Sequence, residues 1–464
     1  MASDAGEAAG EDGGSDVTSA LATYATSLDV AKIPTATLSH ARFVLADTVG
    51  VLLSASTRNA VRTAITALSP ADGQFSIVGH GTADAETAAF LNGIGGHDIE
   101  LDDSHSPSRT HPAAVIIPAA LAGAEHRPDS TLGELVSAIV GAYDVQSRVS
   151  KAIGPTAQYD HGFHPSSVCG AIGAAVAAGS AMRLSADEMR YAIGLAASQS
   201  SGLLTYADDP FHMAKSFQTG IAARNGVTAA LFARAGYRAA PNVLAGPNNV
   251  MLPFGGDAAD ASQFQAELGS RFDINETSLK RHACCGLTHS SVDALLQLFE
   301  EEDLRPESIE SIDVELPHKA VPRIDGNILW SHNIQYVLAL SAYERHVDLE
   351  HFTPAWTENG SIQALASKVT VGGNDELQAG FPARKGAIVT VRTSNGALLS
   401  RRVDAPRGSP YEPLTPGELK DKFLRLAGAV LDVDAAQQLW DTLVTADQDT
   451  PVREVSAKVS RPVP

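Results

Sequence analysis

The chain has 464 residues, 44% of them hydrophobic and 19% charged, the composition of a globular protein with two or three domains. A formal net charge of −20 argues against nucleic acid and against anionic membranes as partners. A few cations gathered in one pocket can still receive a small anion. The three cysteines, Cys169, Cys284 and Cys285, form no spaced disulfide framework, and a reducing, cytoplasmic compartment fits them best.

Residues 1–16, MASDAGEAAGEDGGSD, read as a disordered acidic tail without the basic start and apolar run of a secretory signal. No run of about eighteen uninterrupted apolar residues follows, so no membrane span is expected. Residues 17–272 carry a helical pattern. Val17–Leu28, Thr37–Leu53 (with Thr35 and Thr37 as hydroxyl caps), Pro112–Ala124, Thr131–Ser150 and Pro165–Met182 are its segments. Ser185 and Glu188 have capping-box spacing, and Gly236 is placed to stop a helix over Gly220–Ala235.

Residues 273–410 change character. Ser311–Leu316, Lys368–Val371 and Ala387–Arg392 alternate with period two, as half-buried strands do, and Asn395-Gly396 marks a hairpin to Leu398–Val403. From residue 411 the helical pattern returns, over Pro416–Ala427 and Ala435–Val444. The expected fold is mainly α with an α+β insert.

Four polar clusters could carry chemistry. His97–His105 packs six carboxylate or imidazole groups into nine residues, followed by Thr110-His111-Pro112. On composition it reads as a solvated loop, but its flanks, Phe90–Gly96 and Ala113–Leu121, look buried. Its spacing fits no standard metal motif, so no metal is expected. Asp160-His161-Gly162-Phe163-His164-Pro165 puts His164 at a helix start. There the dipole favours anions and lowers an imidazole pKa; a structural hydrogen bond is the plainer reading. Lys215 stands between an acidic turn and an apolar helix, where a lone lysine is ordinarily solvated. Lys280–His289 holds the vicinal cysteines, which most often simply pack, and His289 at another helix start. Tyr336 lies on an apolar segment and by itself reads as core. No nucleotide-binding loop, dinucleotide fingerprint or nucleophile elbow is present.

In this order the clusters resemble the MmgE/PrpD family, whose members include 2-methylcitrate dehydratase, cis-aconitate decarboxylase and iminodisuccinate epimerase. The resemblance rests on His97–Pro118, Gly162–Gly173, Lys215–Gly226 with its Gly-x-Ala-Ala-x-x-Gly, Lys280–Ala294 and Gln335–Leu338. It implies a large all-helical domain built from both chain ends, a smaller α+β lid, a pocket between them, a homodimer, and no metal or organic cofactor. It implies His111, His164, Lys215, His289 and Tyr336 as catalytic. It also implies Glu100, Asp103, Ser104, His105, His161, Arg281 and Cys285 as substrate contacts. Ser104 keeps the hydroxyl of the decarboxylase threonine, and Glu100 keeps the charge of its aspartate on a longer arm. Two features depart from the decarboxylases: a loop one residue longer between Asp103 and His111, and the Cys284-Cys285 pair.

The implied chemistry is metal-independent proton transfer at a carbon next to a carboxylate. A cation such as Lys215 would hold the developing charge, and an imidazole, His111 or His289, would move the proton. The expected activity is a lyase on a small di- or tricarboxylate, by dehydration or decarboxylation. Epimerisation of an amino- or imino-dicarboxylate is the close alternative. A metal-dependent hydrolase or a non-catalytic member is more distant.

Overall fold

The computed structural model describes residues 16–460 except Pro210 and His212. The expected acidic tail therefore lies outside the described residues but for its last member. Asp16 is no tail residue: its carboxylate caps the helix Val17–Ser27 at the Ser19 amide.

Helices dominate, and their ends follow local chemistry. Thr131 and Ser185 each close a capping box, with Glu134 and Glu188 respectively, and Thr415 does so with Glu418. Thr35 and Thr37 are not caps, contrary to expectation. Pro34 holds that position with no side-chain bond, and both threonines lie inside Thr35–Ser56. This is the one helix among the described residues long and apolar enough to cross a membrane, and 67% of its apolar window is buried in the core. The expected Pro165–Met182 helix is broken at Cys169 into Pro165–Val168 and Gly170–Ala181.

The glycine–alanine motif of residues 220–226 is a packing device. A Cβ on Gly220 would lie 2.8 Å from the Phe90 carbonyl oxygen, and one on Gly93 would lie 2.9 Å from the Gly220 Cα. A Cβ on Gly226 would meet Ala174 at 2.4 Å. Helix Met213–Arg234 is thus pressed between Ala85–Asp98 and Gly170–Ala181, closer than ordinary side chains permit. That close approach brings Lys215 beside the loop that follows Asp98.

Buried side chains of residues 17–279 and 414–459 form one hydrophobic core, and those of residues 284–391 a second. The second surrounds a four-stranded sheet in the order Val369–Asn374, Ile309–Pro317, Ala387–Thr393, Leu398–Val403. The first pair is parallel and the other two are antiparallel. The hairpin turn has Gly396 at φ +87°, the left-handed conformation that glycine adopts freely. Two short antiparallel ladders had no sequence signal, Phe75–Ile77 with Gly81–Ala83 and Asp103–His105 with Thr277–Leu279. The architecture is mainly α with an α+β portion, as the patterning predicts.

A third, small cluster joins Val51, Ala55, Ile99, Leu101, Ala283 and Leu426. It draws on the N-terminal helices, the C-terminal return and the start of the mixed region. Ile99 and Leu101 anchor the acidic loop in it from below.

Candidate active site

The acidic loop is buried, not solvated. Glu100, Asp102, Asp103 and His97 are each at most 4% exposed. Burial of so many ionisable groups is tolerable only if they pair with one another, and all but the Nε2 of His97 find partners. The ladder pairing Asp103 with Leu279 brings the next residue, Lys280, against the loop. Its ammonium lies 2.9 Å from Glu100 Oε2 and 3.2 Å from Asp102 Oδ1. The other Glu100 oxygen takes Lys215. Glu100 holds this bridge with a left-handed backbone, φ +53°.

Asp102 continues the chain. Its Oδ2 lies 2.7 Å from His97 Nδ1 and 2.7 Å from His111 Nδ1, and the Asp103 carbonyl oxygen is 2.6 Å from that same His111 nitrogen. These partners only accept, so each Nδ1 carries the proton and each Nε2 keeps its lone pair. Burial raises the Asp102 carboxyl, but Lys280, His97 and His111 outweigh it and hold it well below the usual range. The neighbouring Asp103 is pushed well above that range by burial and by Asp102's charge. Adjacent carboxyls are thus pushed in opposite directions.

The imidazoles are held neutral. Burial lowers His111, with Asp102 pulling the other way. Burial and then the charge of Lys215 bring His164 down to about 3. His97 is lowered by the same two causes. Its ring lies 4.6 Å from His111 and stacks on His164 at 5.7 Å. Lys280 stays charged because Asp102 and Glu100 outweigh its burial.

A cavity of about 400 Å³ opens on this chain, walled by residues between 100 and 215 and by residues between 280 and 385. Of the expected site residues, Glu100, Ser104, His105, His111, Lys215 and Cys285 line it. His105 does so while bonded through Nδ1 to Ser108, at 2.7 Å. The remaining residues lie elsewhere. His164 is buried behind His97, bonded to Gln218 at 3.0 Å. Asp103 holds the Ala113 amide at 3.1 Å and the Tyr143 hydroxyl at 2.9 Å. His161 is exposed, with Nδ1 3.1 Å from the Phe254 carbonyl. Arg281 faces a separate depression, 4.0 Å from Asp293. His289 is buried, its Nε2 donating to the Cys284 carbonyl at 3.3 Å. Tyr336 belongs to the second core and spends its hydroxyl on the His351 carbonyl.

Sequence reading did not single out Lys280, Asp102, His97, Arg109, Arg323 and Lys385. Lys280 and Asp102 stood inside quoted clusters; only the ladder between distant segments shows that they meet. His97, Asp102 and His111 have the atom types of a metal site, with ligand atoms within 4.8 Å of one another. Both nitrogens, however, sit at hydrogen-bond distance from a single carboxylate oxygen, and the Lys280 cation flanks the other. Such geometry is that of a hydrogen-bond hub; metal ligands spread around an ion at about 2 Å.

Comparison with known proteins agrees in extent. The MmgE/PrpD N-terminal domain model matches residues 19–261, and the C-terminal domain model matches residues 282–448. A cis-aconitate decarboxylase-like protein of Aspergillus oryzae is 28% identical over 96% of this chain and 97% of its own. The cis-aconitate decarboxylase of Aspergillus terreus is 26% identical over 97% of each. The human cis-aconitate decarboxylase is 26% identical over 76% of this chain and 74% of its own. With both domain models spanning nearly all of the described chain, in the order its buried clusters require, the protein belongs to the MmgE/PrpD family.

Proposed function

We propose that this chain is a metal-independent lyase that decarboxylates cis-aconitate or a closely similar tricarboxylate. One observation carries the reading. His111 stands in the cavity wall with Nδ1 pinned by Asp102 and Nε2 unprotonated, beside two buried lysines bridged by Glu100. The names of the relatives supply the substrate class.

The residues divide the work as follows. Lys215 and Lys280 attract substrate carboxylates, with Glu100 bridging the two ammonium groups. When the C–C bond to a carboxylate breaks, CO₂ departs and the electron pair spreads into the remaining unsaturated carboxylate as an enediolate. The ammonium groups, both buried, face that developing charge, and burial strengthens such stabilisation. A proton must then reach carbon. A bound polyanion raises the proton affinity of His111, whose imidazolium is further supported by Asp102, and Nε2 delivers the proton.

Chelator-treated protein should convert cis-aconitate to a product with new vinyl proton signals and one carboxylate fewer. Proton NMR in D₂O would follow this, and deuterium should enter at a single carbon. Activity that appears only on adding a divalent metal would overturn the metal-free reading. Deuterium exchange without loss of CO₂ would move the assignment to epimerisation.

A further inference from the structure

We infer that Arg109, Arg323 and Lys385 form a second anion subsite in the cavity, one that selects substrates with a carboxylate remote from the reacting carbon. The inference deepens the proposed lyase reading and rests on it for the identity of the reacting end.

The charges in the cavity wall are unevenly matched. The chain as a whole is strongly acidic, at −20, yet five cationic residues line the cavity against one carboxylate, that of Glu100. Glu100 bonds Lys215 and Lys280, and Asp102 behind it also engages Lys280. Those two charges have protein partners. Among the described residues, Arg109, Arg323 and Lys385 make no ion pair.

Their arrangement sharpens the mismatch. The guanidinium carbons of Arg109 and Arg323 lie 4.4 and 5.2 Å from the centroid of one ring, that of Tyr159. An aromatic face attracts a cation, but two cations sharing one ring also repel each other. Among the described residues the Arg109 side chain makes one hydrogen bond, to the Thr156 hydroxyl at 3.3 Å. It sits in the loop before His111 with a left-handed backbone, φ +53°. Such conformations gather at ligand clamps, where surrounding structure sustains them.

Lys385 links this pair to the reacting end. Its Nζ lies 3.5 Å from the Ser104 hydroxyl and 3.7 Å from where a Cβ on Gly286 would stand. The absence of a side chain at Gly286 leaves room beside the ammonium. A single carboxylate at the Lys215–Lys280 end leaves the three remaining cations unmatched. A second carboxylate on the same molecule answers them, and guanidinium forks suit it in geometry.

The test is equilibrium binding with ligands that cannot react. Isothermal titration of the full chain would compare tricarballylate with butyrate, which carries a single carboxylate. Wild type should bind tricarballylate the more tightly. Lys385→Met and Arg323→Gln should each weaken tricarballylate at least tenfold and leave butyrate within about twofold. Arg323 lies on the exposed rim, so its variant tests the idea even if Lys385→Met folds poorly. Equal weakening of both ligands, unchanged tricarballylate binding, or a wild type without preference would each overturn the subsite. Because turnover is not needed, the two readings fail separately. Selective binding without decarboxylation of cis-aconitate would sink the lyase reading alone. Decarboxylation with KM unchanged in both variants would sink the subsite alone.

Discussion

Asp102 Oδ2 lies 2.7 Å from His111 Nδ1, which is also 2.6 Å from the Asp103 carbonyl oxygen, and these two acceptors fix which nitrogen of the imidazole meets the substrate. A carboxylate can only accept, so the proton stays on Nδ1 and the lone pair is presented on Nε2. Asn at this position removes the negative charge that supports the His111 imidazolium, while the Asp103 carbonyl still holds the proton on Nδ1. Asp102→Asn should therefore lower kcat by roughly 10²–10⁴-fold, the usual worth of a positioned acid–base group. The hub also loses a charge that Lys280 depends on, so KM should rise as well. Steady-state kinetics on cis-aconitate, with a thermal melt to show that the fold persists, would check this. Wild-type turnover in the variant would remove Asp102 from the proton path.

The direction of the pH dependence separates decarboxylation from proton abstraction. His111 is lowered from 6.5 by burial, so the free enzyme holds it neutral at pH 7. Decarboxylation needs the imidazolium as acid. Above the pKa of His111 that form declines about tenfold for each pH unit. kcat/KM should accordingly fall as pH rises from 6.5 to 8.5. His111→Gln should flatten this limb while losing most activity. A rise to a plateau over the same range would mean that a neutral base acts first, as in epimerisation.

A buried ion pair from the C-terminal return supports the loop from behind. Lys422 Nζ lies 2.7 Å from Asp47 Oδ1 and donates to the Leu101 carbonyl at 3.0 Å. Burial pushes both partners toward neutrality, raising Asp47 and lowering Lys422. Removing one partner leaves the other unpaired, which costs about 3–5 kcal/mol at buried sites. Lys422→Met should lower stability by about that amount in urea unfolding. Asp47→Asn with Lys422→Met should recover part of it. Additive losses would show that the pair is not coupled.

The patterning of the chain made much of this architecture legible. Pro416–Ala427 and Leu398–Val403 match their predicted limits, because proline at a helix start and Asn-Gly at a hairpin are local signals. The break at Cys169 was not legible, since an Ala-, Gly- and Ser-rich run carries no periodicity to interrupt. For the site, composition identified the acidic loop but not its burial. That burial depends on Lys280 and Lys215, which arrive from 178 residues away from Asp102 and 115 from Glu100. Similarly, His289 and Cys285 stand in one segment, and nothing in their spacing says which faces the cavity. The turn at Cys285–Thr288, closed by the Thr288 amide on the Cys285 carbonyl at 2.9 Å, decides it: Cys285 lines the wall and His289 turns into the second core. Arg109 and Lys385 come from separate loops and Arg323 from the short helix Val321–Ile324, and only the closed fold gathers them.

His164 offers a test of the buried imidazole column through stability rather than rate. Its pKa is lowered from 6.5 to about 3, burial being the largest cause and Lys215 the next. A group whose folded pKa is depressed stabilises the protein above its unfolded value, and that stability is lost as pH falls toward the folded value. The window runs from 6.5 down to about 3. By pH 5 the loss from this one residue should reach about 2 kcal/mol, following the worth of one pKa unit. His164→Asn removes the titration while keeping a donor for Gln218. The variant should start less stable at pH 7.5 and lose less on acidification, so its deficit relative to wild type should shrink by about 2 kcal/mol at pH 5. Asp98 and Asp144 are raised by burial to about 6 and about 7 and contribute with the opposite sign, but they are common to both proteins and cancel in the difference. Parallel urea titrations at pH 7.5, 6 and 5 would give that difference directly. A deficit that stays constant with pH would show that His164 takes up a proton as readily in the folded chain as in the unfolded one, and with that the neutral column of His111, His97 and His164 would fall.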